Sequence, residues 1–175
     1  MEKEFTEVYC GSGKGKTTLA VGQCLRASAN GKSVIIIQFL KGKERRELDF
    51  LEELENQDIK IFRFEKMEKC YEQLNDQEKE EENNNILNAL NFARKVIATQ
   101  ECDFLLLDEI LGLLDYGIAT EEALEEILKL KDDSMHIILT GRVLPEGLRK
   151  YADSVTTLTT ELLHCEAGCW ERSEQ

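Results

Sequence analysis

Residues 7–20 read EVYCGSGKGKTTLA, and their types and spacing are those of an anion site. Gly11, Gly13 and Gly15 let backbone N–H groups turn toward phosphate oxygens, and a helix opening at Lys16 adds its positive dipole end. Lys16 is suited to neutralise a phosphate chain, the Thr17 hydroxyl to ligate Mg²⁺, and Lys14 is a second cation in the loop. Ser12 and Thr18 complete the set of phosphate-loop positions. The register departs from G-x-x-x-x-G-K-[ST] at one place: Cys10 stands where the first glycine belongs.

A second stretch, FLLLDE at 104–109, is a hydrophobic strand ending in two acids. That is the metal-side complement of such a loop, with Asp108 or Glu109 holding Mg²⁺ directly or through water. A third, HIILTGR at 136–142, delivers Arg142, whose planar guanidinium can clamp a phosphate. Gln38 and Lys41 follow a further apolar run, SVIIIQF, and are candidates for the same ligand.

These groups need elements to hold them. Apolar runs bounded by turn residues alternate with helical patterns, which is the reading of an α/β fold with a mainly parallel sheet of about six strands. Strands are expected at 5–9, 33–39, 59–64, 104–108, 136–140 and 154–158. Helices are expected at 16–29, 76–100 and 120–130, with a short one starting near Pro145. Asn30-Gly31 supplies residue types that tolerate a left-handed helix end. In open α/β sheets, ligands bind beyond the carboxyl ends of the strands. Four of the expected strands finish there in polar, mostly charged groups. The run NDQEKEEENNN at 75–85 reads as a solvated helix start or loop. Residues 1–162 form one domain in this reading, and 163–175 a short tail.

Composition narrows the function further. With 22 basic and 35 acidic residues the formal charge is −13. That excess opposes nonspecific nucleic-acid or anionic-membrane partners, while leaving a local anion cleft possible. No apolar run approaches the roughly 20 residues of a membrane span, and MEKEFTE lacks the apolar segment of a secretory signal. The expectation is a cytoplasmic protein whose six cysteines are free thiols. His164, Cys165 and Cys169 fall short of the about four ligands that structural zinc takes. His136 and His164 both read as structural rather than catalytic.

The loop GSGKGKTT resembles that of the ATP:corrinoid adenosyltransferases, whose G-N-G-K-G-K-T-T likewise lacks glycine at the position of Cys10. The similarity is collinear through NGKSVIIIQFLKG (30–42), LLLDEILGLLDYGI (105–118), IILTGR (137–142) and LRKYADSVTTL (148–158). It implies a RecA-like, P-loop, three-layer fold and a homodimer. ATP and a corrinoid would be the substrates, Mg²⁺ a cofactor, and a reductase a source of reduced cobalt. The implied reaction moves the 5′-deoxyadenosyl group of ATP to Co(I) and releases triphosphate, so Lys16, Lys14 and Arg142 would act on a leaving group. Where the family carries an aromatic F-T-W element, this chain reads FRFEKMEKCYEQL at 62–74, leaving Phe64 and Tyr71 as corrinoid-side aromatics. The ELLHCEAGCWERSEQ ending also departs from the family's. A nucleotide-binding regulatory module, or a P-loop kinase or ATPase, are the competing readings.

Overall fold

The structure is a computed structural model that describes residues 5–41, 48–54 and 58–162. Six strands form one sheet, β1 (Thr6–Cys10), β2 (Val34–Gln38), β3 (Ile59–Arg63), β4 (Phe104–Asp108), β5 (His136–Thr140) and β6 (Ser154–Thr157), in the order β3-β2-β4-β5-β1-β6. Every pairing is parallel. The expected "mainly parallel" sheet is therefore wholly parallel, and all six carboxyl ends lie along one edge. The strand carrying the glycine loop, β1, is separated from the acid-ending β4 by β5.

β2, β4 and β5 are buried throughout, as their unbroken Val/Ile/Leu runs require of strands covered on both faces. One face packs on α1 (Lys16–Ala29), through Ala20, Val21, Cys24 and Ala27 against Ile36, Leu106 and Ile138. α2 (Asp49–Glu52) adds Leu51 to the same side. The other face packs on α3 (Asp76–Thr99), α4 (Gly112–Asp115) and α5 (Glu121–Leu128). Together these make three layers. Neither four-residue helix, α2 nor α4, is announced by a sequence period. The segment expected to be helical after Pro145 is a 3₁₀ helix, Glu146–Tyr151.

Two helix ends fall where the sequence reading puts them, and the structure adds detail to each. At the end of α1 the left-handed residue is Gly31 (φ 79°), while Asn30 keeps φ −91°. At the start of α3, NDQEKEEENNN is more than a solvated run. Asn75 and Glu78 form a reciprocal capping box, and Glu82 is buried, accepting from the backbone N–H groups of Lys66 and Met67. The acid thus ties the loop after β3 to α3. Cys10, Cys24, Cys70 and Cys102 are free thiols, and burial pushes the Cys24 and Cys102 thiols up, the latter to about 12. His136 is buried with its ring stacked on Phe104 at 4.5 Å. Residues 163–175, with His164, Cys165 and Cys169, lie outside the described residues.

Candidate active site

The phosphate loop leaves β1 at Cys10 and enters α1 at Lys16. Gly11 (φ 112°) and Gly15 (φ 95°) adopt conformations open to glycine and costly for other residues. The loop is held from two sides. Gly11 N–H donates to the Arg142 carbonyl at 2.8 Å, and Gly13 N–H to the Leu158 carbonyl at 2.9 Å. Lys14 N–H donates to Thr160 Oγ1 at 3.1 Å. The Lys16 ammonium curls over the loop and donates to the carbonyls of Gly11 and Gly13, each at 2.8 Å. Ser12, Lys14 and Thr18 are exposed around it.

Beside the loop lies a buried polar cluster centred on Asp108. Its Oδ1 accepts from Thr17 Oγ1 at 2.9 Å and Thr140 Oγ1 at 2.8 Å, and its Oδ2 accepts from Gln38 Nε2 at 3.2 Å. Asp108, Gln38 and Thr140 are each the last residue of a central strand, so strand register alone brings them level. Gln38 therefore supports Asp108 from inside the sheet. Glu109 follows with φ 60°, its N–H donating to Thr140 Oγ1 at 2.7 Å. Burial, and then the charge of Asp108, push the Glu109 carboxyl up, and Lys41, Lys16 and Arg142 pull it back. Those three cations and Glu109 thus share one electrostatic neighbourhood.

Beyond Glu109 opens a cleft of about 460 Å³, lined by Leu40, Lys41, Cys70, Tyr71, Glu72, Gln73, Glu109, Gly112, Asp115, Tyr116 and Arg142. Tyr71 and Tyr116 pack with their rings tilted by 55° and centroids 5.0 Å apart, with the Tyr116 hydroxyl on Glu72 and the Tyr71 hydroxyl donating to Asn83 at 2.8 Å. Burial, helped by Glu72, raises the Tyr116 phenol to about 12, so it stays a neutral donor. Leu40, like Glu109, has a left-handed φ (61°). Two non-glycine residues in that region on one cleft wall are the kind of local strain that clusters at working sites.

Sequence reasoning places Gly11, Ser12, Gly13, Lys14, Gly15, Lys16, Thr17, Thr18, Gln38, Lys41, Asp108, Glu109 and Arg142 at one sheet edge, and the structure brings all of them there. Tyr71 lines the cleft. Phe64 does not: its ring packs on Phe92 of α3 at 5.5 Å, against the core. Sequence reasoning sets Thr140 at the polar end of a buried strand without giving it a role, and misses Tyr116 and Glu72, which carry no signal. It also misses Arg63, on Gln38 from the neighbouring strand.

A glycine-rich loop between the first strand and first helix, faced by an acid at the end of a non-adjacent parallel strand, defines a P-loop nucleotide-binding protein. Among solved structures, the KaiC-like protein PH0186 from Pyrococcus horikoshii OT3 superposes with a TM-score of 0.58 at 19% identity, covering 89% of this chain and 71% of that one. The fold is thus RecA-like. Residues 2–173 match the profile of the ATP:corrinoid adenosyltransferase family BtuR/CobO/CobP, and the chain belongs to that family. It is 29% identical over 160 residues to the corrinoid adenosyltransferase of Escherichia coli K12, covering 90% of this chain and 77% of the relative. With the corrinoid adenosyltransferase CobA of Salmonella typhimurium LT2 it shares 28% over 161 residues, at the same two coverages. Among the described residues, no helix is long and apolar enough to cross a membrane.

Proposed function

We propose that this protein transfers the 5′-deoxyadenosyl group of ATP to the reduced cobalt of a corrinoid, with release of triphosphate. The observation that carries the reading is the position of Arg142. Its carbonyl holds the first turn of the phosphate loop while its side chain lines the adjoining cleft, so one residue borders both a triphosphate site and a space for a second substrate.

In this reading the N–H groups around Gly15 to Thr18 and the N-terminal end of α1 grip the triphosphate. Lys16 leaves the loop carbonyls to reach it, and Lys14 and Arg142 supply further positive charge. A Co–C bond forms at C5′ as the C5′–O bond breaks. Cobalt gives up two electrons to the new bond, and the electron pair of the broken bond leaves with triphosphate. Negative charge therefore grows on the bridging oxygen, and cations preset around that oxygen lower the barrier. The nucleophile, reduced cobalt, needs no base to activate it.

Mg²⁺ fits the residues present. Thr17, Asp108 and Glu109 present hard oxygen donors, and the buried Asp108 carboxylate is met by three neutral donors that leave its charge largely uncompensated. When bound, the ion would neutralise phosphate charge. Tyr71, Tyr116 and Lys41, which line the cleft, would contact the corrinoid. A homodimer, a cytoplasmic location and a reductase partner supplying Co(I) belong to the same proposal.

The test is a product assay: ATP, Mg²⁺ and chemically reduced corrinoid should give a light-sensitive adenosylated product and triphosphate in equal amounts. ADP as the product would instead mark a kinase or ATPase. ATP binding without product, across several corrinoids, would mark a regulatory module.

A further inference from the structure

The last residues of β3, β2 and β4 stand in register as Arg63, Gln38 and Asp108. Their side chains are joined in that order. Arg63 Nε donates to Gln38 Oε1 at 2.8 Å, and Gln38 Nε2 donates to Asp108 Oδ2 at 3.2 Å. On the far side, Arg63 Nη1 reaches Asp49 Oδ1 at 2.8 Å, at the start of α2.

We propose that Arg63 is a positioning residue for the site's divalent cation, acting through Gln38 to orient Asp108. This rests on the nucleotide and Mg²⁺ part of the proposed function. A buried amide has one acceptor and one donor end, and its orientation is set by which partners it finds. Gln38 is 1% exposed, so its carbonyl oxygen needs a donor from the protein. Arg63 supplies a charge-assisted one, which turns the amide nitrogen toward Asp108. One Asp108 oxygen is thereby fixed, and the other faces Thr17 beneath the phosphate loop.

The chemistry favours arginine over lysine. The Nε–H and Nη1–H bonds lie in the guanidinium plane at a fixed angle to each other and meet Gln38 and Asp49 together, which a single ammonium does not reproduce. Without Arg63 the Gln38 oxygen is buried with no donor, the amide has reason to turn, and Asp108 loses its Oδ2 partner. Outer partners of metal ligands commonly contribute about tenfold or more to metal affinity.

The alternative is that Arg63 merely staples β3 to α2 through Asp49. The two roles separate in a titration of Mg²⁺ against ATP binding by the intact chain, with ATP binding in EDTA as control. For Arg63→Met the Mg²⁺ midpoint should rise about tenfold, with ATP affinity in EDTA within about twofold of wild type. In a Gln38→Leu background the same substitution should add nothing further, because the link is already cut. An unchanged midpoint, an equal loss with and without Mg²⁺, or full additivity with Gln38→Leu would overturn the proposal. Should circular dichroism show Arg63→Met unfolded, Arg63→Gln is scored by the same criteria. Wild-type binding of ATP indifferent to Mg²⁺ would overturn the Mg²⁺ reading itself, an outcome distinct from a silent Arg63.

Discussion

The backbone of Leu158 stands directly against Gly11: a Cβ on Gly11 would lie 2.2 Å from the Leu158 carbonyl oxygen. Gly13 is hemmed in by the same residue, at 2.7 Å from its carbonyl carbon. The chain after β6 thus shapes the phosphate loop, and two of its glycines answer to that neighbour as well as to a ligand. Gly11→Ala meets backbone that cannot step aside, at a φ of 112°. It should cost more than about 2 kcal/mol of stability, read by denaturant titration, and abolish ATP binding. Gly22, exposed on α1 with nothing near its missing Cβ, is the control. Gly22→Ala should stabilise the protein by about 0.5–1 kcal/mol with ATP binding intact.

Lys16 is already committed to two loop carbonyls, so its removal has two consequences. Lys16→Ala loses the cation for the triphosphate and the tie that closes the loop on itself. ATP affinity should fall at least about tenfold, the scale of a charge-assisted hydrogen bond, as measured by calorimetry. The loss will not discriminate among reactions, because every P-loop chemistry uses this group. A variant that binds ATP as well as wild type would remove Lys16 from the site.

Glu65 gives stability a pH dependence of definite sign. It is buried in the loop after β3, and its Oε1 accepts the Leu40 N–H at 2.6 Å, while Oε2 has no partner among the described residues. Burial, reinforced by Glu82, raises its carboxyl from 4.5 to about 7. The folded state therefore holds the proton more tightly than the unfolded chain. Its contribution is fully present below pH 4.5 and is lost as pH rises to about 7. Glu65→Gln keeps an acceptor for Leu40 and removes the ionisation. It should exceed wild type by on the order of 2 kcal/mol at pH 8 and match it near pH 4.5. Thermal denaturation at the two pH values checks this. A variant equally destabilised at both would place the role of Glu65 in packing alone.

Much of this was legible beforehand because two periods and one rule carry it. Short Val/Ile/Leu-rich runs such as SVIIIQF and FLLLD read as strands buried on both faces, and parallel strands must place their last residues along one edge. Gln38, Asp108 and Arg142 were therefore locatable from sequence. Arg63 was not: nothing in IKIFRF marks it as a partner of the site, and only the register of β3 on β2 puts it on Gln38. Glu82 was hidden for the opposite reason. Its run is so polar that burial of one member is invisible without the loop that donates to it. The exposed β6 shows neither apolar continuity nor alternation in its burial, so its value as the wall of the phosphate loop appears only in three dimensions.

Tyr71 and Phe64, alike in the sequence as aromatics near the missing F-T-W element, separate in the structure. Tyr71 lines the cleft against Tyr116, whereas Phe64 packs on Phe92 at 5.5 Å and shares that ring with Phe62. Their substitutions should therefore fail differently. Tyr71→Ala strips one wall of the second-substrate space while leaving the phosphate loop intact. It should raise the KM for corrinoid about tenfold or more, the scale of a lost aromatic contact of one to two kcal/mol, with the KM for ATP unchanged. Phe64→Ala leaves a hole beside α3. It should cost about 2–4 kcal/mol of stability, and below its melting transition both KM values should stay near wild type. Steady-state kinetics with each substrate varied in turn, paired with denaturation curves, tells the two apart. Equal KM effects from both would make the segment a single corrinoid-covering wall, and a silent Tyr71 would move the corrinoid out of this cleft.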